Sequence, residues 1–181
     1  MFDQTQLPTN PFWNFSLDVY GQQGVAPACL VLQDKYDLDV NLLLFCCWAG
    51  ICEKKLNTSE LSNLISGIEQ WRDHVIQPLR DVRTWMKAET VNGFRHTDDL
   101  RQNVKDTELW AEALQQNYMH LQLTLRPTDT PSSEVAAKNM VLYLELCEIE
   151  AIGTVDCADL AAIVRGGFPD LPPLEAVWLF Q

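Results

Sequence analysis

The sequence lacks most of the motifs by which a biochemical activity is recognised. It contains no G-x-G-x-x-G, P-loop, G-x-S-x-G or H-E-x-x-H pattern, and His74, His96 and His120 are scattered without a nucleophile–base arrangement around them. None of its 6 cysteines forms a C-x-x-C pair, which is a common spacing in zinc and redox sites. We therefore predict no catalytic residue, no metal site and no cofactor. These absences weaken the case for an enzyme without excluding one.

Basic residues and long apolar runs are also scarce. The chain has 13 Lys and Arg against 25 Asp and Glu, for a net charge of −12. Because phosphate-binding surfaces need clustered Lys and Arg, we predict neither nucleic acid nor an anionic membrane as a partner. No apolar run approaches the roughly 20 residues that cross a bilayer, and the N-terminus resembles no secretion signal. We expect a soluble, cytoplasmic protein.

The sequence does have a strongly apolar centre. Residues 42–52 carry neither a charge nor a side-chain amide, and as a helix they are apolar on every side, which is typical of a buried helix. Asp37 or Asp39 is the natural N-cap of this segment, and Lys54 and Lys55 suit its C-terminal dipole. We predict a buried central helix over about residues 39–55. Its cysteines should be free thiols that act as small hydrophobes.

A heptad-like rhythm follows the central segment. Apolar or near-apolar positions recur in steps of four and three, at Leu61, Ile65, Ile68, Arg72, Val75, Leu79, Val82 and Met86, and again at Leu100, Val104, Thr107, Ala111, Leu114, Tyr118, Leu121 and Leu125. This predicts a long antiparallel helical hairpin over about 59–87 and 98–125, in which Pro78 kinks the first helix without ending it. Residues whose numbers sum to about 186 should face each other, which pairs Lys87 with Asp99, Asp81 with Lys105 and Arg80 with Asp106.

The remaining segments complete an all-α fold. We predict helices over about 10–20 and 25–36, a linker at 126–133, a helix that reaches about 152, and a short helix over about 156–165 capped by Asp156. The expected architecture is a helical bundle around the central helix. Residues 1–126 should form one helical domain, and residues 127–181 a C-terminal helical extension that packs on it.

Polar side chains near the start of the central helix are the first candidate site. Gln33, Asp34 and Asn41 flank this buried segment, and carboxylates close together can bind a divalent cation. Helix capping explains Asp37 and Asp39 without any ligand. It does not explain the other three together, so they are candidate ligand-binding residues.

The second candidate site is basic. Arg72, Arg80 and Arg83 lie along one flank of the first hairpin helix, and Arg72 occupies a position of the heptad seam. An arginine in a seam either lines a cleft, where it would bind a small anion, or pairs with a carboxylate. In the second case these side chains fix the helix register by pairing with Glu108, Glu112 or Asp34.

The C-terminus ends on Trp178, Leu179 and Phe180, an apolar group that is costly to expose. Two interpretations stay open. The segment is a last short helix that packs on the body, or it is a motif that binds a partner.

One stretch also resembles a known family. FWNFSLDVYGQQGVAPACLVLQDKYDLDVNLLLFCCWAG, which contains Trp13, Tyr20 and the Asp39–Val40–Asn41 triplet, is similar to the signature of an uncharacterised bacterial family of conserved hypothetical proteins with a domain of unknown function. The resemblance covers about residues 10–125 and leaves 127–181 outside. It implies no activity, substrate or cofactor.

The function that we predict is therefore contact with other proteins, or self-association, by a non-enzymatic helical protein. The alternative is a small enzyme or ligand-binding protein that uses Asp34, Asn41, Arg72 and Arg83 to hold a metal or a small anion.

Overall fold

A computed structural model describes residues 8–88, 97–149 and 152–181, and every regular element in these ranges is helical. The elements are α1 (Pro11–Tyr20), α2 (Val25–Tyr36), α3 (Val40–Ile51), α4 (Thr58–Trp71), a π turn (Arg72–Ile76), α5 (Gln77–Ala88), α6 (Thr97–Gln122), α7 (Ser133–Leu146), α8 (Thr154–Gly167) and α9 (Pro173–Trp178). The predicted all-α class is confirmed. Over the ranges described, none of these helices combines the length and apolarity needed to cross a membrane.

The central helix is α3, and its residues 41–50 are all buried. Asp39 is its N-cap, since its Oδ1 accepts a hydrogen bond from the Leu42 N–H at 3.1 Å. Asp37 instead ends α2 in a left-handed conformation with φ 54°. The helix ends at Ile51, a few residues before the predicted boundary, and it packs chiefly against α7. The buried central helix is therefore confirmed.

The predicted hairpin is formed by α4, the π turn and α5 on one side and α6 on the other. Pro78 lacks an N–H, and its ring would clash with the carbonyl of His74 four residues earlier in a regular helix. The chain widens into the π turn just before it, and the Gln77 N–H bonds to the Arg72 carbonyl five residues back. The helix thus continues through Pro78, as the unbroken rhythm of apolar residues predicts.

Two of the three predicted charge pairs of the hairpin are wrong, and the pairing of Lys87 with Asp99 stays a prediction. Arg80 faces Glu108 instead of Asp106, with 3.1 Å between Nε and Oε1. Asp81 accepts a hydrogen bond from Gln77, and Asp106 accepts one from Gln102, each within its own helix. The wider π turn shifts the register of α5 against α6, which a uniform heptad rule cannot anticipate.

The last three helices cover α3 and α2. Ser132 caps α7 with a 3.2 Å bond from the Val135 N–H, and α7 ends at Leu146, earlier than predicted. The helix α8 starts before Asp156, so this residue does not cap it from outside. Asp156 lies in the first turn, accepts the Gly153 N–H at 2.7 Å, and binds the Lys35 ammonium of α2.

One continuous core joins the two ends of the described chain, from Phe12 in α1 to Phe180 after α9. Phe180 is 8% exposed, Leu179 packs partly against the core, and Trp178 is 64% exposed. The cysteines are free, as predicted; all are buried except the half-buried Cys147. Burial raises the pKa of the Cys29 thiol to about 12.

Candidate functional site

Arg80 and Arg83 lie in a cluster with two glutamates of α6. Arg80 donates to Glu108 at 3.1 Å and to Glu112 at 2.9 Å, and its Nη1 donates to Gln33 of α2 at 2.7 Å. Arg83 donates to both carboxylate oxygens of Glu108. The cluster ties the hairpin to α2, so each guanidinium is already matched by a carboxylate.

The electrostatics of this cluster are uneven. Burial raises the pKa of Glu112 to about 7, and the Glu108 and Asp39 carboxylates add to the rise, while Arg80 opposes it. The Glu108 hydrogen bond raises the pKa of Arg83. Burial thus outweighs the ion pair with Arg80, so the Glu112 carboxyl is largely protonated below neutral pH.

Arg72 lies in a separate group near the start of α3. Its Nη2 donates to the Asp37 carbonyl oxygen at 3.0 Å and also to the Asp37 carboxylate. The Asp39 carboxylate lies 3.9 Å from its Nε. The π turn places Arg72 there, and the left-handed Asp37 presents its carbonyl oxygen to the same guanidinium group.

Asn41 belongs to a buried chain of side-chain amides between α3, α6 and α1. Its Nδ2 donates to Gln115 at 2.9 Å, and its Oδ1 accepts from Gln116 at 2.7 Å. Gln115 donates onward to Asp39 at 2.8 Å, and Gln116 accepts from Ser16 at 2.7 Å. Buried amides need such partners, so Asn41 serves to join α3 to α6.

The predicted ligand-binding residues thus fall into different groups. Gln33, Arg80 and Arg83 share one cluster, Arg72 and Asn41 are linked through Asp39 and Gln115, and Asp34 is exposed on α2. An anion would have to displace a carboxylate from each arginine. Across the described ranges, no three His, Cys, Asp or Glu side chains are placed to hold a metal ion. A ligand at these residues stays a prediction.

The helix α6 has an unexpected orientation. Toward α1, α3 and α5 it buries Glu108, Gln115 and Gln116, which are 5%, 2% and 3% exposed. Ala113 and Met119 are buried as well, whereas the larger apolar side chains Leu114, Tyr118 and Leu121 are 41%, 38% and 66% exposed. These three belong to the heptad series that predicts the seam of the hairpin. Leu114 and Tyr118 do line one cleft with Gly67 and Trp71 of α4, so the predicted seam is present there but open to solvent, and Leu121 is mostly exposed.

The outward apolar side chains of α6 continue onto α4, where Trp71 is 37% exposed and its indole Nε1 donates to the Ala111 carbonyl at 3.0 Å. We call Trp71, Leu114, Tyr118 and Leu121 the α4–α6 face. The ring of Tyr118 lies directly over Gly67, where an added Cβ would be 2.3 Å from the phenol oxygen.

A cleft of about 280 Å³ lies within this face. Its walls are apolar or aromatic, and its floor includes the buried Gln115; it is lined by Gly67, Ile68, Trp71, Leu114, Gln115 and Tyr118. An aromatic-walled cleft of this kind suits one large apolar side chain.

The α4–α6 face is also free of charge along its sequence. Residues 61–68 of α4 contain no Asp, Glu, Lys or Arg, and neither do residues 113–125 of α6 and its end. Depletion of charged residues together with exposed Trp and Tyr is the composition that distinguishes the centre of a protein interface. A stretch without charge in so acidic a chain is the sequence signal for this face.

A protein-family comparison matches the larger, N-terminal part of the chain. The family model described as "Protein of unknown function (DUF2390)" matches residues 11–119, in agreement with the resemblance predicted for about 10–125. Neither the curated proteins nor the solved structures gave a match. Because the family match includes α1 to α5 and most of α6, and thus more than half of the sequence, the chain belongs to the DUF2390 family, whose description assigns no function.

Proposed function

We propose that the protein works by binding an uncharged, apolar helical surface of another protein chain at the α4–α6 face. The observation that carries this proposal is the orientation of α6, which buries glutamines and exposes Leu114, Tyr118 and Leu121. A helix that only needed to complete the core would turn these apolar side chains inward.

The rigidity of the face supports a binding role. The amide chain through Asn41, Gln115 and Gln116 holds α6 against α3, and the indole hydrogen bond of Trp71 holds α4 against α6. The two helices and the Trp71 indole are thus held in one arrangement before a partner binds, which favours affinity.

The composition of the face defines the partner's chemistry. A charged partner surface would be dehydrated against residues 61–68 and 113–125 without gaining an ion pair, at a cost of several kcal/mol per ion. An apolar helix would bury its own side chains there, and one of them would fill the cleft beside Trp71 and Tyr118. Exposed Trp and Tyr are the residue types that dominate interface energies.

Photo-crosslinking in living cells tests the proposal. A photo-reactive amino acid replaces Leu121 in the full chain, and a matched chain carries it at Val155 of α8, because these side chains are 66% and 71% exposed. We expect discrete protein adducts at position 121 at several-fold higher yield than at 155. Equal yields, or no adduct at position 121, would refute binding at this face.

A further inference from the structure

The α4–α6 face lies on a molecule of net charge −12, and this restricts what can bind it. Little of this acidic charge lies near the face. Residues 61–68 and 113–125 carry no charged side chain, and the intervening residues 72–112 are nearly balanced, with 7 Lys and Arg against 8 Asp and Glu. A basic partner would be recognised by an acidic rim, whereas this face offers it no carboxylate. The face suits a surface as neutral as itself.

We infer that the partner is a second copy of this chain, bound through its own α4–α6 face, an inference that rests on the proposed function. Two identical acidic chains repel wherever their charged surfaces approach. A two-fold interface brings the same patch together from both sides, so an uncharged patch is complementary to its own copy in charge. The charge-free segments of α4 and α6 allow two such chains to meet without opposed carboxylates.

The spacing on α6 fits a two-fold arrangement. Leu114, Tyr118 and Leu121 follow in steps of four and three, the spacing with which helices pack along one seam. With the two-fold axis near Tyr118, Leu114 of each copy faces Leu121 of the other. The antiparallel pair α4 and α6 then meets the same pair of the second copy, as in a four-helix bundle.

The size of the face indicates a weak dimer. The charge-free part of α6 from 113 to 122 extends about 15 Å, and two helices side by side are about 20 Å wide. The resulting footprint of roughly 300 Å² per copy is smaller than the roughly 800 Å² that each partner buries in a standard interface, so the dimer should form in the upper part of the micromolar range.

Sedimentation equilibrium of the purified full chain, from micromolar to several hundred micromolar, tests the inference. The chain has a mass of 20.6 kDa, so a dimer weighs twice that, or 41.2 kDa. We expect the dimer for the unmodified protein. In Leu121→Lys, two ammonium groups enter one interface, and the dissociation constant should rise about 100-fold or more.

Val155→Lys is the matched control, since Val155 is as exposed as Leu121 and lies on α8, which packs mainly on α2 and α9. It should leave the dimer intact. Circular dichroism of both variants checks the fold, and if Leu121→Lys unfolds, Leu114→Gln is measured instead.

Salt provides a second readout. The dimer should tighten between about 0.05 M and about 0.5 M salt, because screening weakens the repulsion between two acidic chains. A contact held by ion pairs would weaken instead. A monomer at the highest concentration overturns the inference, and so does equal dissociation in both lysine variants or weakening by salt.

The two proposals fail differently. If the purified chain is monomeric while Leu121 still cross-links in cells to a protein of another mass, the partner is a different protein and the proposed function stands. If neither a dimer nor an adduct at position 121 is found, both proposals fail.

Discussion

Glu112 is a residue whose charge near neutral pH depends on the fold. It shares Arg80 with Glu108, and its side chain is only 26% exposed. In the unfolded chain its carboxyl would titrate near 4.5, whereas burial raises its pKa to about 7 in the folded protein. Between these values the folded state binds more protons than the unfolded state, so stability must fall as pH rises.

The substitution Glu112→Gln tests this pH dependence of stability. The uncharged amide can still bond to Arg80, so the variant should lose the part of the pH dependence that Glu112 causes. We expect the unfolding free energy of the unmodified protein to fall by on the order of 2 kcal/mol more than that of the variant between about pH 5 and about pH 8. Urea titrations at several pH values measure this difference.

Glu60→Gln is the control, because hydrogen bonds from Lys54 and Asn57 outweigh burial and lower the pKa of Glu60. A lowered carboxyl pKa contributes stability above its unfolded value that is lost as pH falls, so this substitution should change the acid side of the profile only. Parallel profiles of Glu112→Gln and the unmodified protein above pH 5 would contradict the assignment.

At the scale of elements, α3 and α7 cross with their backbones in close contact. A Cβ on Gly50 would lie 2.5 Å from the Ala136 Cβ and 2.8 Å from its backbone nitrogen, so the two helix backbones meet there. Asn139 of α7 then binds the Leu56 N–H at 2.9 Å and the Lys54 carbonyl at 3.0 Å, which fixes the chain leaving α3. The crossing holds the C-terminal helices on the central helix.

Gly50→Ala should therefore be destabilising although alanine is the better helix former. The added methyl group meets backbone atoms that cannot rotate away, and overpacking of this kind costs about 1–3 kcal/mol. Chemical denaturation measures the loss. In the Ala136→Gly background the cost should be smaller, because one of the clashing methyl groups is gone. A neutral effect of Gly50→Ala in the unmodified protein would show that the helices can separate at no cost.

The outward face of α6 is also a property of elements in contact. The steps of four and three predict which α6 side chains share one side, and Leu114, Tyr118 and Leu121 do. They do not predict which side faces the core. The amide chain of Asn41, Gln115 and Gln116 decides this, because buried amides without partners would cost about 1–3 kcal/mol each.

At the scale of the whole molecule, the last residues close the core that α1 begins. Phe180 is 8% exposed within the same apolar cluster as Phe12, and its carbonyl accepts the Cys157 thiol at 3.5 Å. Trp178, two residues earlier, is 64% exposed. Phe180 therefore belongs to the core, and a partner-binding role of Trp178 stays a prediction.

A matched pair of substitutions tests this division. Phe180→Ala should lower the unfolding free energy by about 3 kcal/mol, since it leaves a cavity in the core. Trp178→Ala should change it by no more than about 0.5 kcal/mol, because the indole is mostly in water. Thermal and urea unfolding of the two variants measure both values. Similar losses would contradict the division, because the Trp178 side chain would then contribute to the core as much as the Phe180 side chain does.

The sequence by itself determined the elements of this protein. Local chemistry is sufficient for a buried α3 between Asp39 and Ile51, for the Ser132 cap of α7, and for a hairpin that continues through Pro78, because caps and apolar spacing act within a few residues. Only the tertiary structure decided how these elements face one another. The register of Arg80 against Glu108 and the outward turn of Leu121 depend on a π turn and on amide partners more than 70 residues apart in the chain. Spacing in the sequence carries no information about such distant pairs, because many arrangements of the same helices satisfy it equally well.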